Sequence, residues 1–275
     1  MQSKHILIII SLISIFSTCF AQTSIMSYNI RYDNPKDGEN WWELRKDEVN
    51  ELLNYYRPDF IGIQEAMPNQ IKYIEESLVN YNYIGHGRDG KNTASEGTPI
   101  FYNTSKYELL YEKIFWLSET PEKVSKGWDA NLNRIAVYGV FISKTTKDTL
   151  NVFNTHFDHI GEFARIKSAE LLLEIIELKQ LSIKKLILMG DFNALPNKKP
   201  IKILKMQLND SYGVGKYPVY GPIGTFNEFK TERILNDRID YIFTKNIKVK
   251  SYRCIDDKRR NNLYPSDHLP ILIKI

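Results

Sequence analysis

Cysteine is scarce in this chain. There are two cysteines among 275 residues, Cys19 and Cys254, and 235 positions separate them. Two cysteines so placed make neither a disulfide framework nor a thiolate zinc site. Cys254 also has no neighbouring histidine that would activate it as a nucleophile. We therefore expect the chemistry of this protein to use oxygen and nitrogen groups rather than sulfur.

A strong excess of one charge is also missing. The chain has 37 Lys and Arg against 33 Asp and Glu, a formal net charge of +4. This is low for a dedicated DNA-binding protein, and no basic stripe with interleaved aromatic residues is present. The mild positive charge fits an anionic substrate without requiring one.

Repeats, low-complexity tracts, Gly/Ser linkers and a Gly-x-x-x-x-Gly-Lys phosphate loop are absent from the sequence. Hydrophobic residues make up 43% of the chain, which is enough for one sizeable core. The composition is therefore typical of a globular enzyme of one or two domains.

The longest apolar run lies at the N-terminus, over residues 6–16, directly after Lys4 and His5. It is too short to span a membrane but has the length of a signal-peptide hydrophobic region. Small residues at Cys19 and Ala21 fit cleavage after Ala21. We therefore expect residues 1–21 to be a signal peptide that directs export to the periplasm or the exterior.

A lipoprotein with Cys19 as the lipidated residue is the alternative interpretation of this segment. Phe16 and Thr18 are poor residues to precede such a cysteine, which argues against it. In either case no stable membrane span is expected, and residues 22–275 are expected to form one domain.

Short apolar segments rich in β-branched and aromatic residues predict nine strands. They are Ser24–Ile30, Phe60–Gln64, Pro99–Asn103, Ala136–Ile142, Leu150–Asn154, Leu186–Met189, Ile239–Thr244, Val249–Arg253 and Leu269–Ile275. Helical spacing of apolar residues predicts helices over Trp42–Tyr55, Asn69–Leu78 and Glu162–Leu178. Strands and helices are mixed throughout, which favours an α/β or α+β domain with large sheets covered by helices.

Polar side chains cluster at the ends of most of the predicted strands. Those that follow a strand are Asn29, Glu65, His156, Asp158, Asp191 and Asn193. Asp240 lies near the start of a strand, and Asp267 and His268 come just before the last one. Loops held on a rigid scaffold are the usual place for catalytic groups. The pattern therefore predicts that these side chains converge at one rim of a sheet.

Six segments carry a family resemblance. They are Met26-Ser27-Tyr28-Asn29-Ile30, Ile61-Gly62-Ile63-Gln64-Glu65-Ala66, Asn154-Thr155-His156, Met189-Gly190-Asp191-Phe192-Asn193, Arg238-Ile239-Asp240-Tyr241-Ile242 and Ser266-Asp267-His268-Leu269-Pro270. In this order they resemble the endonuclease/exonuclease/phosphatase superfamily, which includes DNase I-like nucleases, phosphatases and CCR4-type deadenylases. The resemblance covers nearly all of residues 22–275. It implies a four-layer αββα sandwich, in which two mixed β-sheets lie face to face with helices outside.

The resemblance also implies a metal site. Mg²⁺ takes oxygen ligands and is often held by one or two carboxylates. Glu65 is the expected ligand, Asn29 supplies an amide oxygen, and Asp267 joins them or binds a second ion. Mn²⁺ is expected to substitute for Mg²⁺.

The remaining motif residues are expected to act on the phosphate. By resemblance, Asp191 orients or deprotonates the attacking water and Asn193 holds that water or the phosphate. His268 binds a phosphoryl oxygen or transfers a proton, with Asp240 as its partner, and His156 binds the phosphate or acts as an acid. The resemblance assigns no role to Asp158 and His159. This arrangement implies hydrolysis by direct attack of water, without a covalent intermediate.

The substrate is less well defined by the sequence. Arg134 and Arg165 are candidates for binding it, and Glu96-Gly97 resembles a segment before a strand in CCR4-type enzymes. The main hypothesis is a phosphodiesterase or phosphatase acting on a phosphorylated small molecule. The alternatives are a secreted nuclease acting on DNA or RNA and an inactive binding module. The retention of Glu65 and Asp191 argues against the inactive module, and the sequence does not determine the oligomeric state.

Overall fold

Two six-stranded sheets dominate the computed structural model, which describes residues 22–275. The predicted signal peptide lies outside the described residues. The first sheet is formed by β1 (Ser24–Asn29), β2 (Phe60–Gln64), β3 (Tyr81–Ile84), β4 (Ile100–Asn103), β11 (Ser251–Cys254) and β12 (Ile271–Lys274). Its strand order is β11-β12-β1-β2-β4-β3. The second sheet is formed by β5 (Tyr107–Trp116), β6 (Ile135–Ser143), β7 (Thr149–His156), β8 (Leu186–Asp191), β9 (Asn209–Asp210) and β10 (Asp240–Lys245). Its strand order is β5-β6-β7-β8-β10-β9.

Helices cover the outer face of each sheet. They are α1 (Lys46–Tyr56), α2 (Pro68–Ser77), α3 (Glu162–Leu178) and α4 (Lys199–Lys205), with short 3-10 helices at Pro35–Asn40, Trp42–Leu44 and Leu181–Ile183. Apolar residues of α1 and α2 pack on the first sheet, and those of α3 and α4 pack on the second. A third apolar cluster, including Ile25, Phe60 and Met189, fills the space between the sheets. The predicted αββα sandwich is therefore confirmed.

The strand directions bring the polar strand ends together. β1 pairs with β2 in parallel, and β7 pairs with β8 in parallel, with His156 opposite Asp191. β10 runs antiparallel to β8 and places Asp240 opposite Asp191. Because the carboxyl ends of parallel strands meet at one edge, the ends of β1, β2, β7 and β8 lie at the same rim as the start of β10.

Two buried amides link the sheets just below this rim. The Nε2 atom of Gln64 donates a 2.6 Å hydrogen bond to Oδ1 of Asn154. The Nδ2 atom of Asn154 donates to the backbone carbonyls of Ile63 and Thr98, at 2.8 and 3.0 Å. Neither side chain is exposed, so these bonds replace those that water would make and fix how the sheets face each other.

Some elements differ from the sequence prediction. The strands β3, β5 and β9 and the short helix α4 were not predicted, since their apolar residues do not follow a clean two-residue or helical period. β5 leaves Leu110 and Tyr111 half exposed and is interrupted by an irregularity between Leu109 and Tyr111.

The first predicted helix, Trp42–Tyr55, is divided in two. A 3-10 turn covers Trp42–Leu44, and α1 starts at Lys46. Arg45 lies between them with non-helical backbone angles, because its buried guanidinium donates to the carbonyls of Ile30 and Pro265. None of the helices in the described part of the chain has the length and apolarity that a membrane crossing requires.

Candidate active site

The backbone turns sharply where three strands reach the rim. Arg31, Glu65 and Asn193 follow the ends of β1, β2 and β8 and have φ angles of 58°, 62° and 47°. Non-glycine residues seldom adopt this left-handed region, which costs on the order of 1–3 kcal/mol per residue. Such strain persists where the surrounding structure requires it, and here it positions the side chains of Glu65 and Asn193 at the site.

Asp191 occupies the centre of the site and is 1% exposed. Its Oδ1 accepts a 2.8 Å hydrogen bond from the backbone amide of Asn193, and its Oδ2 accepts a 3.0 Å bond from Nδ2 of Asn29. The same Oδ2 lies 3.4 Å from Nε2 of His156 and 3.8 Å from Nε2 of His268. Burial and the nearby charge of Asp240 raise the pKa of Asp191 to about 7. Asp191 is therefore able to accept a proton near neutral pH.

Asn29 joins the two carboxylates on either side of it. Its Nδ2 donates to Oε1 of Glu65 at 3.0 Å as well as to Asp191, while its Oδ1 accepts from the amide of Arg31. Glu65 also accepts a 3.2 Å bond from the backbone amide of Tyr32. In this arrangement Asn29 orients the carboxylates through its amide nitrogen. Its predicted role as an amide-oxygen ligand stays a prediction.

His156 and Asn193 form a pair whose proton positions follow from their partners. Nδ2 of Asn193 lies 3.0 Å from the carbonyl oxygen of Phe157, which can only accept, so this atom is the amide nitrogen. Its second hydrogen faces Nε2 of His156 at 3.1 Å. His156 therefore accepts at Nε2. Burial and the charge of Arg134 lower the pKa of His156 well below its usual value, so the ring is neutral at neutral pH.

His268 has the opposite charge state. Its Nδ1 donates to Oδ2 of Asp240 at 2.9 Å. Burial lowers the pKa of His268, but the charges of Asp240 and Asp191 raise it further, to about 10. A cationic His268 therefore faces Asp191 with its Nε2–H, and the ring of Phe226 lies 5.0 Å from it, between ring centroids.

Asp267 lies at the Glu65 side of the site. Its Oδ1 accepts from the hydroxyl of Ser266 at 3.3 Å, and its Oδ2 lies 3.9 Å from the guanidinium of Arg31. Burial raises its pKa; the cation of His268 acts in the opposite direction, and the charge of Glu65 adds to the rise. The site thus contains three carboxyl groups, Glu65, Asp191 and Asp267, and few cationic side chains to balance their negative charge.

This chemistry fits a hard divalent cation. Ligand atoms of Glu65, His156 and Asp191 lie within 4.8 Å of one another, as do those of Asp191, Asp240 and His268. Oδ1 of Asp240 is buried without a hydrogen-bond partner among residues 22–275. Glu65, with Asp267 on the same side of the site, would hold the ion, because Mg²⁺ prefers carboxylate oxygens. A bound cation would supply charge neutralisation to the phosphoryl group.

Arg134 reaches the site from the start of β6 and is 4% exposed. It lines a small pocket together with Glu65 and His156. Its Nε lies 3.3 Å from Oδ2 of Asp158, and its Nη2 lies 2.9 Å from Nδ1 of His159. Nη1 makes no hydrogen bond with any residue of the described range. Arg134 is therefore fixed on one side and has donors left for an anion.

The other predicted arginine lies outside that pocket. Arg165 donates from Nη1 to the backbone carbonyl of Asp158 at 2.7 Å, which ties α3 to the loop after β7. Arg88 and Glu96, by contrast, do line the pocket and form a two-bond ion pair at 2.7 and 2.9 Å. A larger cavity, about 760 Å³, lies at the opposite end of the strands near Tyr107 and contains none of the predicted site residues.

Asp158 and His159 had no assigned role from the sequence. Although burial opposes it, hydrogen bonds from backbone amides, including that of Gly161, lower the pKa of Asp158 to about 2. Asp158 is thus a permanent anion that anchors Arg134. The available sequence signal was the β6–β7 hairpin, since a paired hairpin places the residue before β6 beside the loop that follows β7.

Comparison with known proteins agrees with this geometry. The profile of the Endonuclease/Exonuclease/phosphatase family matches residues 26–268. A solved structure of a Bacteroides thetaiotaomicron mannosyl-6-phosphatase is 36% identical, with a TM-score of 0.87, and the alignment covers 92% of this chain and 99% of that one. An uncharacterized protein of Acanthamoeba polyphaga mimivirus is 31% identical over 258 residues, which are 84% of this chain and 91% of the viral protein.

A more distant relative is a Saccharomyces cerevisiae protein described as a probable RNA exonuclease. It is 28% identical over 200 residues, and the alignment covers 64% of this chain and 38% of the yeast protein. The protein described here belongs to the endonuclease/exonuclease/phosphatase family, whose members hydrolyse phosphoesters.

Proposed function

We propose that this protein is an exported, Mg²⁺-dependent phosphatase that removes a phosphate monoester from a small molecule by direct attack of water. The observation that carries the proposal is the position of Arg134. Arg134 lines a small pocket together with Glu65 and His156, and its Nη1 makes no hydrogen bond within residues 22–275. Asn29 joins Glu65 to Asp191, whose Oδ2 lies 3.8 Å from Nε2 of His268. The 36% identity to a mannosyl-6-phosphatase supports a phosphorylated sugar as the substrate class.

The chain's own groups can be assigned to the needs of phosphoryl hydrolysis, which are charge neutralisation, a positioned water and help for the leaving oxygen. Asp191 accepts a proton from the water, and the side-chain oxygen of Asn193 accepts a hydrogen bond from that water and holds it in line. The cations of Arg134 and His268 bind the nonbridging oxygens, for which His268 uses the one ring N–H that Asp240 does not accept. The leaving oxygen takes its proton from solvent. Glu65 would hold Mg²⁺, which adds positive charge on the phosphate.

Direct attack by water is favoured over a covalent enzyme intermediate. In the described range no serine, threonine or cysteine side chain is hydrogen-bonded to the ring of His156 or His268. Cys254 is fully buried, and burial together with the charge of Asp240 raises its thiol pKa well above the usual value. A positioned nucleophile with its own base is therefore absent from this part of the chain.

The proposal is tested with a panel of mannose 6-phosphate, glucose 6-phosphate, p-nitrophenyl phosphate, bis-p-nitrophenyl phosphate, plasmid DNA and RNA. Each is assayed with Mg²⁺, Mn²⁺ and EDTA. We expect the highest kcat/KM on a sugar monoester, and no turnover in EDTA. Faster cleavage of DNA or RNA than of any monoester would instead support the nuclease alternative that the yeast relative suggests.

Substitution of the principal metal ligand gives a specific prediction. Glu65→Gln is expected to raise the half-saturating Mg²⁺ concentration by about 10-fold or more, because one charged oxygen ligand is lost. Activity is titrated against Mg²⁺, and Mg²⁺ binding is measured independently by calorimetry. Glu177→Gln, on the exposed face of α3, is the matched control. An unchanged Mg²⁺ affinity in Glu65→Gln would remove Glu65 from the metal site.

Export is proposed from the sequence of residues 1–21. We expect the mature protein to begin at Gln22, because Cys19 and Ala21 provide the small residues that a signal peptidase requires. N-terminal sequencing of protein from the native host's envelope or medium tests this. A mature chain that starts at Cys19 would indicate a lipoprotein, and a retained Met1 would exclude cleavage.

A further inference from the structure

We propose that His159 is a substrate-binding residue that donates a hydrogen bond to a hydroxyl of the leaving group, and that Arg134 fixes its ring in the donor form. The inference rests on the proposed phosphatase activity and narrows it to substrates whose alcohol carries further hydroxyls. Neither the sequence motifs nor the family resemblance assigned His159 a role.

The form of the His159 ring follows from its partner. A guanidinium has five N–H donors and no acceptor. Nη2 of Arg134 lies 2.9 Å from Nδ1 of His159, so Nδ1 must accept and carries no proton. A neutral imidazole has one N–H, which is then on Nε2. Burial and the charge of Arg134 lower the pKa of His159, which keeps the ring neutral at neutral pH.

The loop that carries His159 is held firmly. Oδ1 of Asp158 accepts from the amides of Ile160 and Gly161, at 3.0 and 2.8 Å. Oδ2 of Asp158 accepts from the amide of Leu132 at 3.2 Å and lies 3.3 Å from Nε of Arg134. Asp158 therefore sets both the turn at His159 and the guanidinium that contacts its ring, so the two side chains keep a fixed relation to each other.

The ring of His159 has no protein partner on the side away from Arg134 within residues 22–275. His159 is exposed, and Nε2 makes no hydrogen bond with residues 22–275. The ring is near enough to Glu65 for that charge to act on it, and it contacts Arg134, which lines the small pocket beside Glu65 and His156. Because Nδ1 faces the guanidinium, Nε2–H points away from Arg134, and we place the alcohol of a bound monoester on that side of the ring.

A neutral N–H donor suits an alcohol more than an anion. Arg134 and His268 already provide the positive charge that a phosphate requires, whereas Nε2–H of a neutral ring pairs well with a hydroxyl oxygen. Sites that hydrogen-bond a substrate hydroxyl discriminate strongly against analogues that lack it.

The test compares two substrates that differ in the leaving group. One is the sugar phosphate that the wild-type protein hydrolyses best in the panel, and the other is p-nitrophenyl phosphate, whose leaving group has no hydroxyl. His159→Leu removes both hydrogen bonds. We expect it to raise KM and to lower kcat/KM for the sugar phosphate by about 10-fold, the equivalent of one hydrogen bond. The kcat/KM for p-nitrophenyl phosphate is expected to change by less than about 3-fold.

Two further variants separate recognition from packing. His159→Gln keeps an acceptor for Arg134 and a donor for the substrate, so it is expected to recover most of the sugar-phosphate activity. Ile160→Ala, at an exposed neighbour on the same turn, is expected to behave as the wild type on both substrates. Equal losses of His159→Leu on both substrates would show that the ring only supports Arg134, and this would overturn the inference.

The inference and the proposed function fail in different ways. No change in His159→Leu, or a wild-type protein that hydrolyses p-nitrophenyl phosphate but no sugar phosphate, would overturn the inference and leave a phosphatase. A wild-type protein without activity on any monoester would overturn the proposed function, and the inference with it.

Discussion

Replacement of Asp191 with asparagine is expected to lower kcat by about 10²–10⁴-fold with little change in KM. Proton transfer by a positioned side chain typically accelerates a reaction by about this factor, and it acts in the transition state. Asp191 meets the requirement because its Oδ2 lies within 3.8 Å of both histidines and its pKa is raised to about 7. Steady-state kinetics on the best monoester, at saturating Mg²⁺, give the measurement.

The partner of Asp191 provides the second part of this prediction. His268→Ala is expected to cause a loss of the same order, because a cation at the phosphoryl group is removed. Groups that act as a unit are non-additive, so the double variant is expected to be far more active than the product of the two single losses implies. Losses that multiply would show that Asp191 and His268 act in separate steps.

Two controls test this interpretation, one of the nucleophile and one of the folding of the variant. Cys254→Ser is expected to retain the wild-type rate, because no thiol takes part. The unfolding temperature of Asp191→Asn without metal checks that the variant is folded, because an amide can replace only part of the hydrogen bonding that the carboxylate accepts from Asn193 and Asn29. A fully active His268→Ala, or a Cys254→Ser variant as impaired as Asp191→Asn, would contradict the mechanism.

The fold was predictable because its strands carry strong local signals. β1, β2 and β8 are short apolar segments, and each ends in a polar motif residue, so both the sheets and the rim could be inferred. β5 could not, because it is an edge strand whose exposed residues include Leu110 and Tyr111, which obscures the alternation of polar and apolar side chains.

The site was predictable for residues within motifs and not for those that depend on register. Arg134 and Asp158 are 24 residues apart in sequence, and their contact requires the β6–β7 pairing, in which Ala136 faces Thr155. The left-handed backbone at Glu65 was equally hidden, since Glu65 is neither a glycine nor part of a recognisable turn sequence. At Asn193 the Gly190-Asp191-Phe192-Asn193 sequence did indicate a turn, which the hydrogen bond from the Asn193 amide to Asp191 forms. The sequence motifs therefore identified the site side chains, whereas their orientation depends on the strand pairing of the folded protein.

The second large effect is expected at Arg134. Arg134→Ala is expected to lower kcat/KM for a phosphate monoester by about 10²–10³-fold, because loss of a buried, charge-assisted contact costs about 2–5 kcal/mol. A monoester carries one negative charge more than a diester at neutral pH. The loss on bis-p-nitrophenyl phosphate is therefore expected to be about 10-fold smaller, corresponding to roughly 1.4 kcal/mol.

The variant is expected to fold, which makes this comparison informative. Removal of Arg134 leaves Asp158 buried, but its carboxylate still accepts from the backbone amides of Leu132, Ile160 and Gly161. The unfolding temperature of Arg134→Ala checks this point. Arg165→Ala is the matched control, because its guanidinium contacts only the carbonyl of Asp158 in that loop and its activity is expected to fall by less than about 3-fold.

Inhibition by inorganic phosphate provides a measurement that does not depend on the chemical step. If Arg134 binds the phosphoryl group, the inhibition constant of phosphate is expected to rise in Arg134→Ala by about the same factor as KM for the monoester. Arg134→Lys, which keeps the charge without the two-pronged geometry, is expected to fall between the wild type and Arg134→Ala. Equal losses on monoester and diester, with phosphate inhibition unchanged, would show that Arg134 supports the fold of the pocket rather than binding phosphate. In that case the preference for monoesters would have to come from other groups, and Arg88, released from its ion pair with Glu96, would be the first to test.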